Sequence, residues 1–326
     1  MKKLSLLILA IFIGFSAFLT GCKNDRLIRI NEVTHSIFYA PLYVAINNGY
    51  FEENGIEIEL TNGGGSDASM TALLSGSADV SLLGPETGVY VNSQGKENAP
   101  IIFGQLTKKD GSFLVGKVDE PDFKWENLKG KHVIAGRKGG SPAMSLQYAI
   151  EKNGMNINSD LNFDLSVAFN MTVGAFTGGT ADYVTVFEPT ASELVRENKG
   201  YIVASVGVEA GEIPFTCFMA NQSYIKNNSQ KLENFLKAIQ KAYLFIVNSD
   251  IDAVVDSLRP SFKTNSDESI KASVLSYKSI DAWCSSPVMT STSYNRLLDM
   301  LEGAGELSTR VEFNKVVDNS IANKIV

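Results

Sequence analysis

The sequence predicts an α/β protein built from two lobes, each a mostly parallel sheet flanked by helices. From residue 27 to residue 220, short apolar runs alternate with segments of helical periodicity, as expected of βαβ units. The chain has 326 residues, 44% of them apolar and 20% charged, which suits two lobes of ordinary domain size. After residue 220 the pattern becomes helical, which predicts a helical tail packed on the first lobe.

The first residues have the order of a secretory signal. Two lysines precede the apolar run LSLLILAIFIGFSAFL, which is too short for a comfortable membrane span. The run ends in Leu19-Thr20-Gly21-Cys22, which resembles the bacterial lipobox, a signal that is cut before the cysteine. The sequence therefore predicts a signal peptide at 1–21, a lipid on Cys22 and a tether at 22–26. The protein is expected to be extracytoplasmic and anchored to the bacterial cell membrane through this lipid. A plain signal peptide with a chance cysteine is the alternative.

Charge and cysteine usage argue against two kinds of site. Without residues 1–21 the chain keeps 27 of its 29 basic residues against 36 acidic ones, a net charge of −9 that disfavours nucleic-acid binding. Cys217 and Cys284 have no neighbours at metal-ligand spacing, so no metal is expected. Both are predicted to be buried free thiols, and a disulfide between them is left open.

Proline and capping residues mark the helices of the first lobe. Pro41 opens a helix that runs to about Asn48, since proline suits the first helical turn, and Pro85 opens another. A third helix begins at Ser66 or Asp67, either of which can cap it. The predicted strands of this lobe are 27–33, 56–60, 78–83 and 100–106.

A linker-like stretch, VDEPDFKWENLKGK, leads into the second lobe. The elements predicted after it are strands at 132–136, 165–169 and 182–187 and a helix from about Ser141 to Lys152. The run at 213–220 is a strand with no helical partner in its own lobe, so we expect the chain to cross back there.

The crossings between the lobes are predicted near 107–116 and 212–218. Lobe one then takes 27–107 and 216–326, and lobe two takes 108–215. Gln230–Asn248 is a strongly amphipathic helix of the tail. Its apolar face is formed by Leu232, Phe235, Leu236, Ile239, Tyr243 and Ile246.

Ligands of open parallel sheets bind outside the carboxyl ends of the strands, near helix N-termini. In this chain those ends are rich in Gly, Ser and Thr, whose backbone N–H groups can face a ligand. The candidate ligand-binding residues of lobe one are His35, Phe38, Tyr39, Gly64, Gly65, Ser66, Gly84, Glu86 and Gln105. Those of lobe two are Arg137, Gly139, Gly140, Ser141, Asn170, Phe187 and Glu188.

Each of the sharper candidates has a structural alternative. GRKGGSP, which begins at Gly136, can bring backbone and positive charge to a ligand, or can be only a strand-to-helix turn; its spacing fits neither a Walker A loop nor a dinucleotide fingerprint. Phe38 and Tyr39 can wall a cleft, whereas Tyr43 and Tyr50 are predicted to pack inside the lobe. A lone histidine such as His35 is more often structural than ligand-binding.

Several motifs resemble one family. The segments FYAPLYVAINNGYFEENGIEIEL, GGGSDASMTALLSGSADVSLLGPE and LKGKHVIAGRKGGSP, the sequence VFEP at Val186–Pro189 and the lipobox are similar to the SsuA/TauA/THI5-like group of periplasmic-type binding proteins. The resemblance covers nearly all of the mature chain. It implies a periplasmic-binding-protein fold of type II, with two lobes that close about a hinge on a ligand.

The resemblance also implies a function. Members of the group capture aliphatic sulfonates, taurine, nitrate or thiamine-related pyrimidines for ABC importers, so the partners expected are a small-molecule ligand and the permease and ATPase subunits. Arg137, Lys138, Ser141 and the loop at 63–66 would suit a sulfonate. Glu86 and Glu188 would instead suit a ligand with N–H donors stacked on Phe38, Tyr39 and Phe187, and a flat heterocycle is slightly favoured. The alternative for Glu188 is a carboxylate that stabilises a helix N-terminus.

Two rival functions share this fold. One is a pyrimidine-synthesis enzyme of the THI5 type, but only Cys217 stands where that group has a cysteine cluster, and neither a Ser–His–Asp set nor a metal set is visible. The sequence therefore favours a monomeric binding protein without a cofactor over an enzyme. The other rival is a lipoprotein that binds a solute and signals to a membrane receptor, whose cleft would look the same.

Overall fold

The computed structural model describes residues 25–168 and 171–325 and arranges their strands in two five-stranded sheets. The strands are β1 (Leu27–Glu32), β2 (Glu57–Asn62), β3 (Val80–Leu83), β4 (Pro100–Thr107), β5 (Ser112–Gly116), β6 (His132–Ile134), β7 (Asn162–Asp164), β8 (Tyr183–Phe187), β9 (Tyr201–Ser205) and β10 (Thr216–Asn221). Cys22 and Asn170 lie outside the described residues.

Helices cover both sheets. They are α1 (Ala40–Asn47), α2 (Tyr50–Glu53), α3 (Ser66–Ser75), α4 (Pro85–Ser93), α5 (Ser141–Lys152), α6 (Thr172–Thr177), α7 (Thr190–Arg196), α8 (Val206–Ala210), α9 (Gln222–Asn227), α10 (Ser229–Asn248), α11 (Ile251–Leu258), α12 (Asp267–Ser279), α13 (Ser291–Gly303) and α14 (Phe313–Val316). Short 3₁₀ turns are Ile37–Tyr39, Trp125–Leu128 and Ala322–Lys324. Within the described ranges, none of the helices has the length and apolar character needed to span a membrane.

The two sheets have the same topology. The first has the order β2-β1-β3-β10-β4 and the second the order β7-β6-β8-β5-β9. In each, the strand that arrives from the other sheet, β10 or β5, runs antiparallel to both of its neighbours, whereas the local βαβ strands pair in parallel. The predicted α/β class with two mostly parallel sheets is confirmed.

The amphipathic helix of the tail is also confirmed, as α10. Its predicted apolar face is buried except for Tyr243, which is half-buried. Phe235 from this face packs against Phe51, Phe103 and Phe218, so the helix covers one face of the first sheet.

Three strand predictions were incomplete or wrong. Residues 112–116 belong to β5, a fully buried strand between β8 and β9, and not to a crossing. The edge strand β9 was not predicted. The strand predicted at 165–169 is wrong, because pairing with β6 places β7 at Asn162–Asp164 and residues 165–168 follow it as loop.

The two crossings pack directly on one another. The first is only residues 108–111, and the second is α8 with the loop at 211–215. A Cβ placed on Gly207 would lie 2.0 Å from the backbone oxygen of Asp110, so only glycine allows this contact. A Cβ on Gly111 would lie 2.5 Å from the Phe38 ring. Neither Gly111 nor Gly207 therefore has room for a side chain, whereas a Cβ on Gly211 in the second crossing would meet nothing within 4 Å.

Cys217 and Cys284 are free thiols, with Cys217 buried and Cys284 half-buried. Cys217 pairs with Gln105 on one side of β4, and the amide of Cys284 donates to Leu106 O on the other side. The Cα atoms of the two cysteines are therefore two strand spacings apart, which is roughly 9–10 Å. Because a disulfide needs Cα atoms within about 7 Å, this geometry disfavours the pairing that the sequence left open.

Candidate functional site

A cavity of about 280 Å³ lies where the carboxyl end of β1 in the first sheet faces that of β8 in the second. Its position follows the rule that open parallel sheets bind ligands outside the carboxyl ends of their strands. The lining residues are Thr34, His35, Ser36, Phe38, Tyr39, Thr172, Val173, Val186, Phe187, Glu188, Pro189 and Thr190. Aromatic rings and hydroxyl groups therefore dominate its wall.

Phe38 and Tyr39 are positioned by a capped 3₁₀ turn. The Ser36 hydroxyl accepts the amide of Phe38 at 3.2 Å, and Pro41 lies in the first turn of α1, which follows at once. The Phe38 ring contacts Phe187, Phe215 and Tyr277 at centroid distances of 5.7, 5.8 and 5.0 Å and is 1% exposed. Phe38 thus lines the cavity from within a buried aromatic cluster.

His35 sits in a polar cluster at the cavity edge. Its Nε2 lies 2.8 Å from the carbonyl oxygen of Ser261, and its Nδ1 lies 2.9 Å from Glu32 Oε1. Tyr43 donates to the other oxygen of Glu32, and Tyr43 is fully buried as predicted. Because Ser261 O and the carboxylate are acceptors only, an imidazolium that donates from both nitrogens satisfies this geometry. Hydrogen bonding to Glu32 accordingly raises the pKa of His35.

The pKa of His35 predicts a pH dependence of stability. Since it is raised above the unfolded value of about 6.5, protonated His35 stabilises the fold fully below that pH, and the stabilisation is lost as pH rises through the folded-state pKa. We expect the difference in free energy of unfolding between wild type and His35→Gln to be larger at pH 5.5 than at pH 9, by urea unfolding. In a Glu32→Gln background this pH dependence should shrink. A difference that stays constant with pH would contradict the assignment.

Glu188 lines the cavity, but its carboxylate is already engaged. Oε2 accepts the amide of Ser192 at 2.9 Å, and Oε1 accepts the hydroxyls of Ser192 and Ser276 at 2.8 Å each. These bonds cap the start of α7 and join it to α12. The geometry therefore favours the structural alternative for Glu188 over direct pairing with a ligand.

The remaining described candidates do not line this cavity. Gln105 is buried in β4 and donates to Thr107 O at 3.1 Å, which is a structural role. Gly64 and Gly65 have φ of +68° and +152° and form the turn before α3. The others lie where loops of the two sheets meet beside the cavity; they are Ser66, Gly84, Glu86, Arg137, Gly139, Gly140 and Ser141.

Contacts across this meeting point join the two sheets. Arg137 Nη1 lies 3.3 Å from Asp67 Oδ2, and the Ser141 hydroxyl lies beside the buried Glu86 carboxyl. Arg137 is thus paired with an acidic side chain from the first sheet.

Sequence reasoning missed several polar lining residues. Thr34 and Ser36 flank His35 in the loop after β1, Thr172 begins α6, and Thr190 begins α7. Thr34, Ser36 and Thr190 lie within four residues of a strand end, so the same rule could have found them, whereas Thr172 lies eight residues after β7. Val173 and Val186 could not have been predicted as lining residues, because apolar side chains of this kind are normally assigned to the hydrophobic core.

This two-sheet fold is that of the periplasmic binding proteins. The chain can be superposed on the alkanesulfonate-binding protein SsuA of Xanthomonas axonopodis pv. citri with a TM-score of 0.72 at 16% identity, covering 90% of this chain and 98% of that one. For the nitrate-binding protein NrtA of Synechocystis PCC 6803 the TM-score is 0.61 at 17% identity, with 75% and 68% covered. Identities this low show the fold alone.

Sequence comparison then defines the family. The family model described as NMT1/THI5 like matches residues 37–253. Over 319 residues the chain is 38% identical to YtlA of Bacillus subtilis (strain 168), which is named as a binding protein, and the match covers 97% of this chain and 95% of YtlA. The protein belongs to the NMT1/THI5-like family, which confirms the resemblance found in the sequence.

Proposed function

We propose that this protein is an extracytoplasmic solute-binding lipoprotein of an ABC importer. It captures a small organic solute by hinge closure between lobe one (27–107 and 216–326) and lobe two (108–215) and delivers it to the permease and its ATPase. The observation that carries the proposal is the cavity between the strand ends of two sheets joined by two short crossings. The names of YtlA, SsuA and NrtA, all of which are binding proteins, support it. Cys22 anchors the monomeric protein to the membrane.

The cavity wall favours a flat, neutral or cationic heterocycle, such as a thiamine-type pyrimidine, over a strong anion. The rings of Phe38, Tyr39 and Phe187 offer apolar faces, and the hydroxyls offer hydrogen bonds. No Lys or Arg occurs among the described lining residues, and the positive charge of His35 is held by Glu32. An anion desolvated in this cavity would therefore lack a compensating cation. Aliphatic sulfonates, taurine and nitrate are the second candidate class, supported by the names of SsuA and NrtA.

A ligand panel tests the proposal. The chain from Lys23 onward is melted with pyrimidines, sulfonates, taurine, nitrate and aromatic acids, after native mass spectrometry for retained solute. A solute at 100 times its Kd should stabilise the fold by about 2.7 kcal/mol, and we expect a pyrimidine to do so. The matched control is Phe187→Ala, which removes one wall of the cavity and should reduce the shift. A shift with sulfonates alone would refute the heterocycle assignment, and no shift with any solute would refute the binding function.

We propose a binding protein and not an enzyme because of the state of the one comparable cysteine. The Cys217 thiol is buried in β10, and burial raises its pKa, so the thiolate needed for chemistry is disfavoured. A receptor-coupled sensor would use the same cavity. A pull-down that recovers a receptor and no permease would favour that role.

A further inference from the structure

Two side-chain pairs cross between the sheets beside the cavity. Asp67 in α3 and Glu86 in α4 follow strands of the first sheet, and Arg137 and Ser141 follow β6 of the second. Arg137 pairs with Asp67 at 3.3 Å, and Ser141 lies against Glu86. Any motion that parts the two sheets at this end must separate both pairs.

The two pairs differ in burial. The side chains of Arg137 and Asp67 are 50% and 85% exposed, so this solvent-screened ion pair contributes little. Glu86 and Ser141 are 2% and 4% exposed, out of reach of solvent. The energetics of this contact therefore depend on Glu86 and Ser141, which we call the cleft latch.

The Glu86 carboxyl is tightly enclosed. A Cβ on Gly84 would lie 2.1 Å from Glu86 Oε2, so the side chain folds back over the start of α4. Among the described residues, neither Oε2 nor the Ser141 hydroxyl has a partner at full hydrogen-bond geometry, although the two groups are neighbours. A buried carboxylate oxygen without a donor is costly, whereas a protonated carboxyl can donate to the serine oxygen.

The charges around Glu86 do not offset its burial. Burial raises the pKa of Glu86, and Asp67 adds to this, while Ser141, the residue's own backbone N–H and Arg137 lower it without reversing the direction. The other titratable groups near enough to interact with Glu86 are neutral, since burial raises the pKa of each; they are Tyr39, Tyr90 and Cys217.

We propose that the cleft latch holds the two sheets together and that Glu86 takes up a proton when it closes. With the sheets apart, Ser141 no longer covers Glu86, and the carboxyl faces water and ionises. Closing the latch then removes a charge that would otherwise be buried. The inference rests on the proposed function only for the existence of hinge closure, and it does not depend on which solute fills the cavity.

The test uses single-molecule energy transfer without any solute, so it fails or succeeds separately from the ligand panel. Dyes are attached through unnatural amino acids at exposed Leu74 in α3 and exposed Val118 after β5, which leaves both cysteines unchanged. The closed-to-open ratio is measured from pH 5 to pH 8 for wild type and Glu86→Gln. For one linked proton the wild-type ratio should fall by up to about tenfold per pH unit, and the Glu86→Gln variant, whose side chain is neutral at every pH, should lose this slope.

Asp110 supplies a matched control. It is an enclosed carboxyl of the first crossing, 2% exposed, and burial raises its pKa to about 7. Its Oδ1 accepts the Ser112 amide. The difference between wild type and Glu86→Gln should persist in an Asp110→Asn background. If that difference vanishes there, Asp110 and not Glu86 is the proton acceptor, and the proposal is overturned.

A second variant protects the test against loss of folding by Glu86→Gln. Ser141→Ala removes the partner of Glu86 from the other sheet, and at pH 5 it should lower the closed-to-open ratio by about two- to tenfold, the worth of one hydrogen bond. An unchanged ratio in Ser141→Ala, or a single inter-dye distance at every pH in wild type, would refute the latch.

Discussion

Replacing Phe38 by alanine is expected to lower the free energy of unfolding by about 3–5 kcal/mol, the usual cost of truncating a fully enclosed phenylalanine. The ring is 1% exposed and is surrounded by Tyr39, Phe187, Phe215 and Tyr277. It also fills the space over the Cα of Gly111 in the first crossing. Its loss leaves a void shared by the core, the hinge and the cavity wall, and the rigid elements around it cannot collapse into that void.

Urea unfolding of the chain without solute measures this effect. Phe313→Ala is the matched control, because Phe313 is half-buried in the tail and its ring contacts that of Tyr294. We expect Phe313→Ala to cost clearly less. If the two variants cost the same, the aromatic cluster at the hinge is not the tightly packed core that the structure shows.

Alanine at Gly207 is expected to have the second large effect, at the contact between the two crossings. The added Cβ would lie 2.0 Å from the oxygen, 2.9 Å from the carbonyl carbon and 3.0 Å from the nitrogen of Asp110. Overpacking usually costs about 1–3 kcal/mol, and we expect the upper end or beyond because the obstructing atoms are backbone and cannot rotate away. The crossings must separate, so solute affinity should fall together with stability.

The control for this variant is another helical glycine. Gly303 ends α13, and a Cβ on it would meet nothing within 4 Å. Gly303→Ala should be neutral or stabilising by up to about 1 kcal/mol, since alanine is the better helix former. Calorimetric melting compares the two variants. A Gly207→Ala protein as stable as Gly303→Ala would show that the two crossings can move apart at little cost, which would contradict the prediction.

Local sequence patterns correctly predicted a large part of the fold. Pro41 and Pro85 lie in the first turns of the helices predicted from them, and the apolar face of α10 packs on the first sheet. The strand-end rule also placed His35, Phe38, Tyr39, Phe187 and Glu188 at the cavity. These successes share a cause: each depends on the spacing of residues within one short segment or on the βαβ order of neighbouring segments.

The failures have the opposite cause. β5 and β9 are short strands whose pairing partners lie far along the chain or in an order that no local spacing encodes. The role of Glu188 was open in the sequence, because the serine that joins it to α12 is 88 residues away. The same holds for Arg137, which the sequence offered as a cation for a ligand and which pairs with Asp67 from the other sheet.

The sequence by itself thus determined the α/β class, the two-sheet organisation, the family and the strand ends at which the cavity lies. Only the tertiary structure decided which polar groups were still available there, and it committed Glu188 to a helix cap and His35 to Glu32 and Ser261. It also placed Glu86 against Ser141 across the two sheets. The physical reason is that burial and partner choice are set by segments distant in sequence, and these settle the charge and hydrogen bonding of each group.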